Sequence, residues 1–301
     1  MSSRIRCADE ARDRGEAPLG TASNVRRWLL VEQWGAWGYD ALASSELPAE
    51  VAGPLVTSAR AAGVRVLLVR RPKRRGRPKV RHVVLGYSGL DGPWLREAAV
   101  EDVASMAALD LAAVFAAGGE GVGSALSEPA FLVCTHGRHD PCCADLGRPL
   151  VRGLVADGVG GVWESSHLGG DRFAGNLVAL PDGLYFGRVG PGEAEGVAAE
   201  LAAGRIDLER YRGRSCFPFP VQAAERLVRD ETGLMGIDDL VFAGWEPAGP
   251  GCWSVRFRVA ATDETHEAEV EERIGEPAFL TCEAEEERRP RTFVATRLRV
   301  A

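Results

Sequence analysis

Two short segments hold the residues best suited to chemistry: Cys134-Thr-His-Gly-Arg-His-Asp-Pro-Cys-Cys143 and His167-Leu-Gly-Gly-Asp-Arg-Phe-Ala-Gly-Asn176. They carry the thiols of Cys134, Cys142 and Cys143, the imidazoles of His136, His139 and His167, and the carboxylates Asp140 and Asp171; Asp145 lies just beyond the first. Three of the chain's seven cysteines and three of its five histidines therefore fall in these two segments. Soft thiolates with imidazoles suit zinc, copper or an iron–sulfur cluster, whereas calcium and magnesium take hard oxygen ligands. The close Cys pair usual for structural zinc is absent, and so is the Cys-x-x-Cys of thioredoxin-type thiol exchange. Cys143 stands at the start of a predicted helix, where the dipole is expected to lower its pKa. Gly169 and Gly170 are expected to let the backbone approach a bulky inorganic centre. Inert buried cysteines are the competing reading.

Each segment begins where a strand is predicted to end, and in α/β sheets sites form in the loops beyond the carboxyl ends of strands. Residues 128–133 read as a strand ending on Cys134, 144–156 as a helix, and 162–166 as a strand ending on His167. Residues 176–180 and 183–189 read as a β-hairpin, closed by a helix over 192–203. Upstream, a strand at 26–32, a helix over 49–62 and a strand at 64–69 suggest a βαβ unit. A strand at 80–87 and a helix over 100–117 follow, the latter stopped by Gly118-Gly119. Past Arg212-Gly213-Arg214, a helix over 221–232 precedes four or five short alternating strands. Eleven acidic residues between 263 and 287 read as the solvated face of an antiparallel sheet. The expected layout is a disordered arm (1–20), an α/β domain (21–118), a central module (119–212) and an α+β domain (213–301).

An apolar share of 46% is ample for these cores, and a net charge of −7 argues against a general nucleic-acid binder. No uncharged apolar window of about 18 residues exists, so no membrane-spanning helix is expected. The first residues lack the apolar core of a signal peptide, and the odd cysteine count argues against a disulfide framework. A cytoplasmic location is the expectation. Eight basic residues in Arg70–Arg81, broken by prolines, read as a solvated loop or as a dock for an acidic partner.

The Cys-x8-Cys of Cys134–Cys143, the His-x-Gly-Gly-x-Arg-Phe-Ala-x-Asn of His167–Asn176 and the hairpin Gly183-Leu-Tyr-Phe-Gly-Arg188 resemble the sucrase/ferredoxin-like family. The resemblance covers roughly 128–190; Leu29-Leu30-Val31-Glu32 and Arg212-Gly213-Arg214-Ser215 also look like actinobacterial members. It implies an α/β protein with a thioredoxin-like ferredoxin module at 119–212, flanked by the N-terminal α/β domain and the C-terminal α+β domain with its antiparallel sheet. It also implies one-electron transfer through a [2Fe–2S] cluster. Family members whose cluster is understood hold it with two Cys and a His-x3-His pair. The matching positions here are Cys134, Cys143, His167 and Asp171, so a carboxylate stands where the second imidazole is expected. Carboxylate is a harder ligand and uncommon on cluster iron, which leaves Cys142, His136 or His139 as alternatives for that place. A histidine ligand would couple reduction to protonation and raise the potential above that of an all-Cys cluster.

An electron carrier is thus expected rather than a catalyst. Sugar hydrolysis needs two carboxylates about 5–9.5 Å apart, and no motif here marks such a pair. The alternatives are a thiol–disulfide oxidoreductase using Cys134 with Cys142 or Cys143, and a module with structural zinc. The expected partner is a redox protein docking through the basic loop 70–81, with no nucleic acid and no membrane. Among bland readings, Cys7 is incidental and Cys216, Cys252 and Cys282 are small buried hydrophobes. Arg172 pairs with Asp145 or the cluster's charge, or has a surface or packing role, while Phe173 is core, Asn176 bonds backbone, and Trp34 and Trp37 pack.

Overall fold

The structure is a computed structural model describing residues 5–72 and 80–300. Its first helix, α1 (Cys7–Asp13), falls inside the stretch expected to be a disordered arm. Cys7, Ala8 and Ala11 form a small apolar stripe, and Cys7 and Ala8 bury against Cys142, Ala174 and Cys282. Arg188 fastens it by donating to the carbonyls of Ala11 and Glu16 (3.2 and 2.6 Å). Packing, not composition, orders this segment.

The run Trp28-Leu29-Leu30-Val31 makes β1 (Arg27–Glu32) apolar on both faces, as a central strand requires. α2 (Ala49–Ala61) connects it to a parallel β2 (Val64–Arg70), giving the expected βαβ unit. β3 (Arg81–Tyr87) and β4 (Trp94–Val100) continue antiparallel on the other side of β1. The helix expected over 100–117 is not one element. β4 extends to Val100, a 3-10 turn spans Val103–Ala108, and α3 covers only Leu111–Ala116. Asp102 and Asp110 accept from the amides of Ala104 and Ala113, capping two short helices where one was expected.

After the two-residue β5 (Ser124–Ala125) come β6 (Ala130–Cys134), α4 (Pro141–Ala156) and a parallel β7 (Val162–Ser165). The expected hairpin is β8 (Leu177–Leu180) with β9 (Leu184–Phe186), followed by α5 (Ala194–Ala202) and β10 (Tyr211–Arg214). All ten strands join one mixed sheet, in the order β10-β9-β8-β6-β7-β2-β1-β3-β4-β5. Its two halves meet where β7 pairs antiparallel with β2, reinforced by Arg70–Glu164 at 2.8 Å. Period-two alternation on β6 sends Phe131 and Val133 to the core shared with α4 and α5. Leu132 and Cys134 face the other core, with Trp28, Leu30, Trp163 and Cys143.

The remainder is α6 (Phe219–Thr232) on a separate antiparallel sheet of β11 (Leu240–Gly249), β12 (Cys252–Val259), β13 (Thr265–Ile274) and β14 (Arg291–Val300). On β13, buried His266, Ala268 and Val270 alternate with Glu267, Glu269 and Glu271 on the wetter face, as the acidic pattern implied. Cys252 on β12 is only half-buried.

Of the basic stretch 70–81, residues 73–79 lie outside the described residues, as do 1–4 of the arm. The stretch's ends are engaged internally: Arg71 pairs with Glu97 at 2.9 Å, and Arg81 donates to Gln33 and the Glu32 carbonyl. Among the described residues no helix is long and apolar enough to cross a membrane.

Candidate metal centre

β6 and β7 run parallel with Cys134 opposite Ser165, so both strands release their loops on the same side of the sheet. Beyond β6 the chain tightens at once: the amides of His139 and Asp140 both donate to the His136 carbonyl (3.1 Å each). Asp140 then caps α4 by accepting from the Cys142 amide at 2.8 Å. Cys143 enters in the first turn of α4, on the side facing Cys134. The close approach of helix to strand depends on Gly147, where a Cβ would lie 1.9 Å from the Cys134 carbonyl oxygen.

Beyond β7, Ser166 donates its amide to Leu68 and Arg65 donates to the His167 carbonyl (2.8 Å each), fixing the second loop to β2. Gly169 and Gly170 then reverse the chain with φ of 97° and 82°. At both glycines the side-chain direction is taken up by protein. A Cβ on Gly170 would strike the Arg212 guanidinium (Nη2 at 2.4 Å), and one on Gly169 would strike Ser23 Oγ at 2.6 Å. Buried Arg212 is the hub of the loop, donating to Thr21 Oγ1, the Thr21 and Gly169 carbonyls and Asn176 Oδ1 (2.7–3.0 Å). Asn176 returns the link by donating to the Gly170 carbonyl at 2.8 Å.

The loops bring Cys134, Cys143 and His167 together, with one donor atom from each mutually within 4.8 Å. Donors of His139, His167 and Asp171 meet the same limit. Asp171 touches both groups. Its Oδ1 accepts from Cys143 Sγ at 3.1 Å and stands 3.0 Å from His167 Nδ1, while its Oδ2 is 3.9 Å from His139 Nε2. Both thiols and Asp171 are buried, whereas the His167 and His139 side chains keep 25% and 28% exposure. The His139 and His167 rings stack at 3.8 Å.

Two of the alternative fourth donors lie elsewhere. His136 is buried, with Nε2 2.7 Å from the Gly38 carbonyl and Trp37 packed edge-on at 5.8 Å. Cys142 turns the other way, its Sγ 3.3 Å from that of Cys282. Arg172 pairs with Glu16 at 2.7 Å, and Asp145 pairs with Arg6, so the expected Arg172–Asp145 pair does not form. Phe173 is core, as expected.

Local charges organise the site. The hydrogen bond from Cys143, together with His167, holds the Cys134 thiol below the ordinary range against the opposing effect of burial. Cys143 moves upward because Cys134, burial and Asp171 all disfavour a second thiolate. The direction is opposite to the lowering expected from the helix terminus. Burial opposes charge on His167, yet Asp171 and Cys134 push its pKa up to about 9. Burial also opposes ionisation of Asp171, and His167 outweighs it, keeping the carboxylate low. Burial and the nearby His167 charge lower His139. A thiol held low, an imidazole held high and a carboxylate held low thus share one pocket. Replacing protons with a thiophilic cation would satisfy the same donors.

Sequence reasoning passed over Arg212 as a loop hub and Gly147 as a spacer. A cation inside a short buried strand was the available signal for the first. It also dismissed Cys7 and Cys282, which meet Asp140 and Cys142 in a second buried cluster.

A mixed sheet with buried thiols, a half-buried imidazole and a buried carboxylate gathered beyond its strand ends offers a donor set that could hold a metal ion. A model of the family described as Sucrase/ferredoxin-like matches residues 18–213, and the chain belongs to that family. The match spans the ten-stranded sheet and Cys134, Cys143, His167 and Asp171, and leaves α6 and the four-stranded sheet outside it. No curated protein and no solved structure matches the chain.

Proposed function

We propose that the protein transfers single electrons through a [2Fe–2S] cluster held by Cys134, Cys143, His167 and Asp171. The observation that carries this reading is the convergence of two buried thiols and an imidazole within 4.8 Å, in a chain of a ferredoxin-like family. The donor set fits: the thiols lie inward, Asp171 contacts Cys143 and His167, and a buried guanidinium stands behind the loop. A thioredoxin-like module over 119–212 is supported by the order β9-β8-β6-β7, with β6-α4-β7 parallel and the β8–β9 hairpin leading to α5. Seven free cysteines suit a reducing compartment such as the cytoplasm.

When bound, such a cluster takes up and releases one electron. Cys134 and Cys143 would supply thiolates from the dry side, where buried Leu168 and Tyr185 share their core. Arg212 contributes positive charge that favours an electron-rich site. His167 and His139 line a cleft of about 370 Å³ together with Tyr39. A redox partner would reach the site there, steered by the basic stretch 70–81.

The 3.0 Å approach of Asp171 Oδ1 to His167 Nδ1 favours a second assignment of the fourth ligand. In it Asp171 orients His167, as carboxylates do for metal-bound histidines, and His139, stacked on His167, completes the set.

Anaerobic absorption spectra with iron and sulfide assays on wild type and Cys143→Ala test the proposal. Broad visible bands with about two irons and two sulfides per chain, lost in the variant, are expected. A colourless, iron-free protein after anaerobic reconstitution would overturn it in favour of thiol chemistry at Cys134 and Cys143.

A further inference from the structure

A second set of donors lies on the opposite side of the first turn of α4. Cys7 from α1, Asp140 and Cys142 from the start of α4, and Cys282 from the segment between β13 and β14 place their ligand atoms mutually within 4.8 Å, all buried. Cys282 Sγ lies 3.3 Å from Cys142 Sγ and 3.5 Å from Cys7 Sγ. Asp140 Oδ2 is 3.5 Å from Cys7 Sγ. A disulfide would need about 2.05 Å. Two thiolates on one tetrahedral zinc at about 2.3 Å stand roughly 3.7 Å apart, close to what is seen.

We propose that Cys7, Asp140, Cys142 and Cys282 form a second metal site that takes a single thiophilic divalent cation, zinc, as a structural staple. Three observations point to a ligand rather than ordinary packing. The thiols come from positions 7, 142 and 282, so folding alone, not local sequence, collects them around one point. The carboxylate is aimed by two backbone donors, the amides of Cys142 (2.8 Å) and Cys282 (2.7 Å), leaving lone pairs toward the sulfurs. The Asp140 carboxylate is buried beside three thiols with no cationic side chain bonded to it among the described residues, a placement that a bound cation would offset. Binding releases the thiol protons to solvent and requires no oxidant.

The staple would join α1 and the 275–290 segment to the helix turn that also bears Cys143. Redox-inert zinc suits this closed position, since structural zinc sites present four protein donors and no open face. The cluster at Cys134 and the staple are separate: Cys142 and Cys143 are adjacent on a helix and so point to different neighbours.

Elemental analysis of the full-length protein, purified anaerobically with added zinc, tests the proposal on wild type, Cys282→Ser, Cys7→Ser and the control Cys252→Ser. About one zinc per chain is expected in wild type and control, lost in the other two. In wild type, Cys7, Cys142 and Cys282 should resist alkylation until a chelator removes zinc, a readout that survives misfolding of a variant. Zinc at background in wild type, zinc retained in both variants, labelling indifferent to chelator, or a Cys142–Cys282 disulfide would each overturn it. Iron is counted in the same samples: zinc without iron defeats only the electron-transfer reading, and iron without zinc defeats only the staple.

Discussion

Gly147→Ala sets helix propensity against packing, with opposite signs. In a helix interior alanine is favoured over glycine by about 1 kcal/mol, so propensity alone predicts a more stable protein. The new Cβ, however, would stand 1.9 Å from the Cys134 carbonyl oxygen, about 1.5 Å short of ordinary contact near 3.4 Å. The obstacle is backbone of a buried strand, which cannot rotate aside. Overpacking of this kind costs about 1–3 kcal/mol, at times more. Taking the upper figure and subtracting the propensity gain leaves a net loss of about 2 kcal/mol, a melting shift of roughly 3–5 °C for a unit of this size. Gly196→Ala on α5 is the control, because it is exposed and nothing lies within 4 Å of its Cβ; it should stabilise by about 0.5–1 kcal/mol. Thermal melts of the two variants beside wild type read both signs. Moving α4 outward also separates Cys143 from Cys134, so iron content should fall in Gly147→Ala only. A Gly147→Ala protein as stable as wild type with full iron would refute the claim that this glycine sets the spacing of the two thiols.

Other expectations are independent of that one. Asn176→Ala removes the acceptor of Arg212 (2.7 Å) and the donor to the Gly170 carbonyl (2.8 Å). It should cost about 2–4 kcal/mol in urea unfolding and lower metal content; unchanged stability would count against the Arg212 hub. Glu225→Ala strands Arg229, whose Nη2 lies 3.1 Å from Glu225, and deprives the Tyr211 hydroxyl of its acceptor. A loss of about 3–5 kcal/mol in urea unfolding is expected; unchanged stability would count against this buried pair. With His167 as a ligand, the midpoint potential should fall as pH rises between roughly 6 and 9. His167→Cys should flatten the dependence and lower the potential, and a flat wild-type titration would exclude histidine ligation.

Much of the frame was legible because its strands are nearly continuous apolar runs. Ala130–Cys134 and Val162–Ser165 leave little choice but buried strands, and their ends locate both donor loops. The family resemblance set His167 and Asp171 at neighbouring ligand positions, and their side chains lie 3.0 Å apart. The segment at 100–117 misled because alanine-rich sequence fits a helix in any frame, while Asp102 and Asp110 divide it. α1 was hidden for a different reason. Seven residues with three small apolar side chains give no periodic signal above noise, and their order comes from Cys142 and Cys282, far away in sequence. The adjacent Cys142 and Cys143 could not be told apart by position. Only the helix direction, about a quarter-turn between them, sends one to Cys134 and the other to Cys282.

The most direct test of one-electron transfer at Cys134, Cys143 and His167 is quantitative electron paramagnetic resonance of the anaerobic protein before and after dithionite. The account predicts a silent oxidised state and, on reduction, one unpaired spin per about two irons, absent from Cys134→Ala and Cys143→Ala. A reduced wild-type protein that contains iron yet shows no such spin, or one whose signal survives both substitutions, would contradict it.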